Sequence, residues 1–111
     1  MKKLKPFKIP AQSEAQITKS IRYLLKSQGI WHYKAWGGPM SEKGIPDLIG
    51  IFNGRLLAIE VKTVSGKVSE HQEKKIQEIN RAGGLAFVAR GIQDVINGLG
   101  IQDRFLFNGK I

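Results

Sequence analysis

Apolar residues recur along the chain at helical spacing in some stretches and in short continuous runs in others. Four apolar residues form one stripe in the first of these stretches: Ile17, Ile21, Leu24 and Leu25. Before this stripe, Ser13 with Gln16 three residues later has the spacing of a capping box, and Gly29 after it is a common helix terminator. The pattern therefore predicts a helix from about residue 14 to Gln28.

The clearest local signal is a β-hairpin in the middle of the chain. Two apolar runs, residues 48–52 and 56–59, flank the dipeptide Asn53-Gly54. Asn-Gly is the preferred loop of a two-residue type I′ hairpin, because both of its positions need positive φ. Residues 30–36 are rich in aromatic side chains and predict another strand before the hairpin.

The second half of the chain predicts a strand between two helices. Ser69 with Gln72 is a second capping box and predicts a helix from about Glu70 to Ala82. Residues 85–89 predict a buried strand, and the apolar spacing of residues 92–99 predicts a short helix. A strand–helix–strand connection is right-handed and makes its two strands parallel. We therefore expect an α/β fold of order α-β-β-β-α-β-α, with one mixed sheet and helices on both faces.

A chain of 111 residues has the size of one small domain. Residues 1–12 contain two prolines and no clear period, so we expect a basic N-terminal arm there and a single folded domain over residues 13–111. The formal net charge is +9, and residues 1–36 hold eight basic residues beside one acid. Such a field attracts polyanions such as nucleic acids, although a solvated basic surface is an equally good explanation of the charge alone.

Composition also excludes several classes of protein. The chain has no cysteine, which excludes a disulfide scaffold, a thiolate zinc site and a cysteine nucleophile. No apolar run is long enough to cross a bilayer, and no apolar segment of a secretory signal follows the basic start. We expect a cytoplasmic protein that has neither a membrane nor a small-molecule cofactor as a partner.

The hairpin brings charged residues together at its open end. Because Phe52 faces Arg55 across the turn, the register places Asp47 opposite Glu60. Opposed Cβ atoms lie about 4.5–5.5 Å apart, and like charges there destabilise the strand pair. Lys62 follows two residues after Glu60 and points to the same face. The register favours a divalent-cation site, for which hard oxygen ligands suit Mg²⁺ or Mn²⁺, over a purely local ion-pair cluster.

These residues also form a recognisable pattern. Gly44-Ile45-Pro46-Asp47 followed by Glu60-Val61-Lys62 resembles the PD-(D/E)XK nuclease motif. With Ser69-Glu70-His71-Gln72 and the compact length, the chain is similar to the VRR-NUC branch, in the stand-alone form found in phages and bacteria. The resemblance covers roughly residues 13–89. It implies a restriction-endonuclease-like α/β core, located in a bacterial cytoplasm or, for a phage protein, in that of the host.

The resemblance implies a catalytic set: Asp47, Glu60, Lys62, Glu14 and Gln72. The two hairpin carboxylates would bind one or two Mg²⁺ ions, for which Mn²⁺ can substitute. The carbonyl of Val61 and the side chain of Glu14 would be further metal ligands. Lys62 would contact the scissile phosphate or orient the attacking water, and Gln72 would lie near the site. From spacing alone, Glu14 is equally explained by the helix dipole and Gln72 by capping.

The resemblance finally implies an activity and an assembly. Stand-alone VRR-NUC proteins are similar to Holliday-junction resolvases and tend to be dimers. We therefore expect a Mg²⁺-dependent DNA endonuclease that acts on branched DNA as a homodimer, with residues 31–33 and 105–107 as candidate interface segments. A flap, duplex or single-strand nuclease, an RNA-cleaving enzyme and a non-catalytic nucleic-acid-binding module stay open as alternatives.

Overall fold

The computed structural model describes residues 10–38 and 42–101. These residues form three helices and four strands: α1 (Glu14–Ser27), β1 (His32–Lys34), β2 (Leu48–Phe52), β3 (Arg55–Val61), α2 (Glu70–Arg81), β4 (Leu85–Ala89) and α3 (Ile92–Leu99). Within the described part, the order is the predicted α-β-β-β-α-β-α. The edge strand that we predict around residues 105–107, and residues 1–9 of the predicted arm, lie outside the described residues.

The four strands form one mixed sheet in the order β1-β2-β3-β4. β2 pairs with β1 and with β3 in antiparallel fashion, whereas β4 pairs with β3 in parallel. The β2–β3 register runs from Phe52 opposite Arg55 to Leu48 opposite Ile59, as the turn predicts. Both turn residues have positive φ, at 50° for Asn53 and 76° for Gly54. The predicted α/β fold with a mixed sheet is confirmed.

The helices lie on both faces of the sheet. Alternate residues of β3, Leu57, Ile59 and Val61, are fully buried in a core that also contains apolar residues of α1 and α3. Glu60 lies between two of them in sequence, so its side chain points to the opposite face. There it contacts Gln72 in the first turn of α2. The site residues of β3 are therefore covered by α2, and the main core lies behind them.

The strand before the hairpin is shorter than the prediction over residues 30–36. Ile30 is part of the C-terminal cap of α1, because its N–H donates to the carbonyl of Leu25 (2.9 Å) and its side chain is buried in the core. Gly29 makes this ending possible with φ of 70°. The ladder with β2 spans only His32–Lys34. Among the described residues, none of the helices is long and apolar enough to cross a membrane.

Candidate active site

Asp47 lies one residue before β2, at the open end of the hairpin. Its carbonyl accepts a hydrogen bond from the N–H of Ala35 (2.7 Å), which attaches it to the chain after β1. Its Oδ2 accepts from the N–H of Val61 (2.8 Å) on β3. The carboxylate thus takes the place of a backbone acceptor just beyond the last β2–β3 pair. These two contacts fix the Asp47 side chain beside β3.

Glu60 is buried, with only 3% of its surface exposed. Its Oε2 accepts a hydrogen bond from Nε2 of Gln72 (3.0 Å) and lies 3.7 Å from Nζ of Lys62. Within the described part of the chain, its Oε1 is buried and has no hydrogen-bond partner. A buried carboxylate oxygen without a donor is costly, so the site lacks positive charge or a donor at this oxygen.

The pKa of Glu60 also indicates that the site lacks positive charge. Burial raises the pKa of Glu60 to about 8, and Coulomb repulsion from the neighbouring Asp47 carboxylate adds to this rise. The Lys62 ammonium opposes the rise, and the Glu14 carboxylate contributes weakly to it. Without another cation, one ammonium does not compensate the buried carboxyl at neutral pH.

Gln72 has two roles at once. Its Oε1 accepts from the N–H of Ser69 (2.9 Å), and its backbone N–H donates to the Ser69 hydroxyl (3.2 Å), which completes the capping box. Because the amide oxygen is used by the cap, the NH₂ group is directed towards Glu60. Helix capping and positioning of the carboxylate are therefore carried by one side chain.

Glu14 is exposed at the start of α1. It is close enough to Glu60 to raise the pKa of that carboxyl by Coulomb repulsion. Over residues 10–38 and 42–101, no group of three His, Cys, Asp or Glu residues is arranged to hold a metal ion. A ligand role for Glu14, and for the carbonyl of Val61, stays a prediction.

The segment that leads to Asp47 is attached to α2. Gly44 has φ of 84°, and a Cβ at this position would collide with the carbonyl oxygen of His71 in the first turn of α2. Glu42 forms an ion pair with Lys75, whose ammonium lowers the pKa of Glu42. α2 therefore positions both carboxylates, one through Gln72 and the other through this segment.

Arg90, which follows β4, is a structural residue that the sequence analysis missed. Its guanidinium donates to the carbonyls of Thr63 (2.6 Å) and Gly66 (2.7 Å), in the loop between Lys62 and α2. No local sequence pattern predicts this contact, because it joins segments more than 20 residues apart. The loop that carries Lys62 into α2 is thus fixed from the neighbouring strand.

Comparison with protein families identifies the chain. A model of the VRR-NUC domain matches residues 33–93, which is more than half of the chain. The chain belongs to the VRR-NUC family. The matched segment includes Asp47, Glu60, Lys62 and Gln72, whereas Glu14 lies outside it. The predicted family is confirmed, and no curated protein matches this VRR-NUC chain significantly.

Solved structures show the same fold. One VRR-NUC domain protein is 21% identical, with a TM-score of 0.69 over 82% of this chain and 88% of the other. A second VRR-NUC domain is 23% identical, with a TM-score of 0.63 over 86% and 95%. Hjc, a Holliday junction resolvase from the archaeal hyperthermophile Archaeoglobus fulgidus, is 23% identical, with a TM-score of 0.54 over 68% and 65%. The chain therefore has a nuclease fold.

Proposed function

We propose that this VRR-NUC protein is a Mg²⁺-dependent endonuclease that hydrolyses phosphodiester bonds in branched DNA, such as Holliday junctions. Membership of a nuclease family supports the class of reaction. The observation that carries the proposal is the carboxyl of Glu60, which is buried beside Asp47 with one oxygen lacking a donor in the described chain. Packing of the apolar core does not require these two carboxyls.

The residues fit a divalent cation. Asp47 and Glu60 supply hard carboxylate oxygens at one end of the hairpin, as Mg²⁺ or Mn²⁺ requires. A cation beside the Glu60 carboxyl would favour its charged form and remove the repulsion from Asp47. We assign the metal to these two carboxylates, with Glu14 and the carbonyl of Val61 as the further ligands proposed from the family resemblance.

The protein side chains have separate roles in this mechanism. When bound, the metal ion supplies positive charge that stabilises the reacting phosphate and lowers the pKa of the attacking water. Lys62, whose ammonium lies beside Glu60, donates to the scissile phosphate and stabilises the negative charge that builds there. Gln72 orients Glu60, and the N–H of Val61 orients Asp47. No covalent nucleophile is required.

A branched DNA substrate is supported by two features. The net charge of +9 favours a polyanion, and one solved structure with the same fold is a Holliday junction resolvase. A four-way junction has approximate two-fold symmetry, so we propose that a symmetric homodimer presents two identical sites to it.

One cleavage assay tests the proposal. Four-way junction, flap, duplex and single-stranded DNA are incubated with the protein in Mg²⁺, in Mn²⁺ and in EDTA. We expect paired nicks in the junction with either metal and no cleavage in EDTA. Asp47→Asn provides the matched control, because it keeps the size of the side chain and removes its charge.

Each alternative has its own result in this assay. Cleavage in EDTA, or by Asp47→Asn at the wild-type rate, would contradict the metal site. A single nick on one arm of a flap would identify a flap nuclease instead. Binding of DNA without cleavage of any substrate would identify a non-catalytic nucleic-acid-binding module.

A further inference from the structure

A concave surface lies outside the carboxylate site, between the outer side of α1 and the edge strand β1. Its volume is about 400 Å³, and we call it the cationic groove. Seven residues line the cationic groove: Ala15, Thr18, Lys19, Arg22, Tyr23, Lys26 and Lys34. Four of the seven are basic and none is acidic. The lining therefore has the charge of a site for an anion.

The helical period places these cations in a row. Lys19, Arg22 and Lys26 recur at spacings of three and four residues, so they share one side of α1. The apolar residues Ile17 and Ile21 face the core on a different side of the helix. The row is thus a separate surface of α1, and successive cations lie about 4.5–6 Å apart along its axis.

Contacts with β1 fix the other wall of the groove. Nε of Arg22 donates to Nε2 of His32 (3.3 Å), so α1 and β1 are joined at this point. Lys34 lies two residues after His32 and points to the same side of the strand. The ring of Tyr23 is 77% exposed at the rim.

The cationic groove begins next to the candidate active site. Lys34 pairs with Leu48, the residue after Asp47, and the N–H of Ala35 donates to the Asp47 carbonyl, so the groove and the carboxylates lie at the same end of the sheet. The side chain of Lys34 is on the α1 face of the sheet, and the carboxylates are on the other face. From Ala15 to Lys26 the helix continues for about 16 Å away from that end. A chain of phosphates that passes from Asp47 around this end of the sheet would therefore meet a regular row of cations along α1.

We propose that the cationic groove binds the sugar-phosphate backbone of the DNA substrate beyond the cleaved bond. This inference rests on the proposed nuclease function and adds where the substrate strand runs. Regular spacing and continuity with the carboxylates favour a nucleic acid over an acidic protein segment, whose charges would not need to reach the catalytic end. The groove would act on affinity and orientation, not on the chemical step.

Two variants with equal loss of charge test the groove. The groove variant combines Lys19→Gln, Lys26→Gln and Lys34→Gln; Arg22 is kept because it contacts His32. The control variant combines Lys67→Gln, Lys74→Gln and Arg81→Gln, which are exposed positions on α2 and the loop before it. Binding of a fluorescent four-way junction is measured by anisotropy in EDTA over a range of salt concentrations. Thermal melts verify that both variants are folded.

The groove variant should bind about tenfold or more weakly at moderate salt. Its log–log salt slope should be shallower by about 2.7, since each neutralised phosphate contributes about 0.9. The control variant should keep the wild-type slope. Equal losses in both variants, or an unchanged slope in the groove variant, would overturn the proposal. Lys34→Gln alone, on the exposed strand edge, should reduce the slope by about 0.9 if the triple variant fails to fold.

A small substrate separates this inference from the nuclease proposal. Bis(p-nitrophenyl) phosphate contains one phosphodiester and no backbone beyond it, so the groove variant should hydrolyse it with Mg²⁺ at the wild-type rate. A groove variant that binds the junction weakly but hydrolyses the small substrate at the wild-type rate supports the groove. If the groove variant hydrolyses the small substrate normally and keeps the wild-type salt slope for the junction, the groove proposal is overturned and the nuclease proposal stands. If the wild type cleaves neither the junction nor the small substrate, and the groove variant still loses junction binding, the nuclease proposal is overturned and the groove stands.

Discussion

The Glu60 carboxyl has two partners at one oxygen, Gln72 and Lys62, and none among the described residues at the other. A buried acid whose pKa is raised to about 8 destabilises the folded protein at any pH where the unfolded chain would be ionised. The same group becomes favourable when a cation balances it. Metal binding and folding should therefore be coupled at this one residue.

The first prediction concerns the pH dependence of stability in the metal-free protein. The pKa of Glu60 is about 8 when folded and ordinary when unfolded, so its contribution is fully favourable below about pH 4 and is lost as the pH rises to 8. Glu60→Gln removes this loss. Relative to wild type, its free energy of unfolding in EDTA should gain on the order of 3 kcal/mol between pH 5 and pH 8.

Urea denaturation at both pH values measures this difference. Mg²⁺ at pH 8 should stabilise the wild type and leave Glu60→Gln nearly unchanged, and the variant should not cleave DNA. A Glu60→Gln protein that gains no stability relative to wild type as the pH rises would contradict the assigned electrostatics.

The second prediction concerns Lys62. If its ammonium stabilises charge in the transition state, Lys62→Ala should lower turnover by about 10²–10³-fold and leave DNA affinity nearly unchanged. If Lys62 only pairs with Glu60, the main effect should be a lower melting temperature. Turnover, affinity and melting are measured on one preparation, with exposed Lys74→Ala as the control for loss of one charge.

At the level of secondary structure elements, α2 acts as the support of the site. It contains no fully buried residue, so it contributes little to the main core. Its first turn instead contacts Glu60 through Gln72, and the carbonyl of His71 lies against Gly44. The Glu42–Lys75 ion pair adds a second attachment of the same segment. Displacement of α2 would therefore disturb both carboxylates together.

The third prediction tests this support through Gly44. A side chain at this position meets a positive φ and the carbonyl of His71, so Gly44→Ala should move the segment away from α2 and misplace Asp47. We expect turnover to fall at least about tenfold, since small displacements of catalytic groups are costly. Gly29→Ala is the matched control, because Gly29 has φ of 70° but open space around it.

Both substitutions place a side chain at a positive φ, so the turnover of the two variants should show the effect of the contact with α2. Gly29→Ala should lose about 1 kcal/mol of stability and keep its turnover. Gly44→Ala should lose more stability and most of its turnover. Equal turnover in the two variants would show that the contact with α2 does not position Asp47.

At the scale of the whole molecule, the two sides of β1 carry different kinds of side chain, cationic on one and aromatic on the other. One side carries the cationic groove with Lys34. The other carries Trp31 and Tyr33, which are 63% and 48% exposed and whose rings meet edge to face at 5.7 Å. Within the described sheet, β1 is also an edge strand, and an edge with exposed aromatic side chains favours association. An interface on this side would leave the groove open to DNA.

The fourth prediction is therefore a symmetric dimer. Sedimentation equilibrium at micromolar concentration should give about twice the chain mass of 12.4 kDa. Replacing both Trp31 and Tyr33 by lysine should produce monomers, which nick only one strand of a junction at each encounter. A wild-type mass near 12.4 kDa would remove the dimer, and a dimer that survives the double substitution would remove this interface.

Local sequence was sufficient for the framework of the site. The two capping boxes act within four residues, and the Asn53-Gly54 turn fixes the register of the strands that leave it. That register carries Asp47 and Glu60 to the same end of the hairpin before any tertiary contact is considered. Lys62 follows from the alternation of a strand. Such features are predictable because their interactions join residues that are neighbours in sequence or across one tight turn.

The remaining features of the site depend on packing between segments that are distant in sequence. The burial of Glu60, its contact with Gln72 and the unpartnered oxygen depend on how α2 lies against β3. The late start of β1 at His32 depends on Ile30 entering the core, and the loop after Lys62 depends on Arg90. Sequence shows the surplus of cations in the first third of the chain, but the groove exists only where α1 meets β1. Contacts between segments far apart in sequence leave no periodic signal, since each is one of many that the same residues could make.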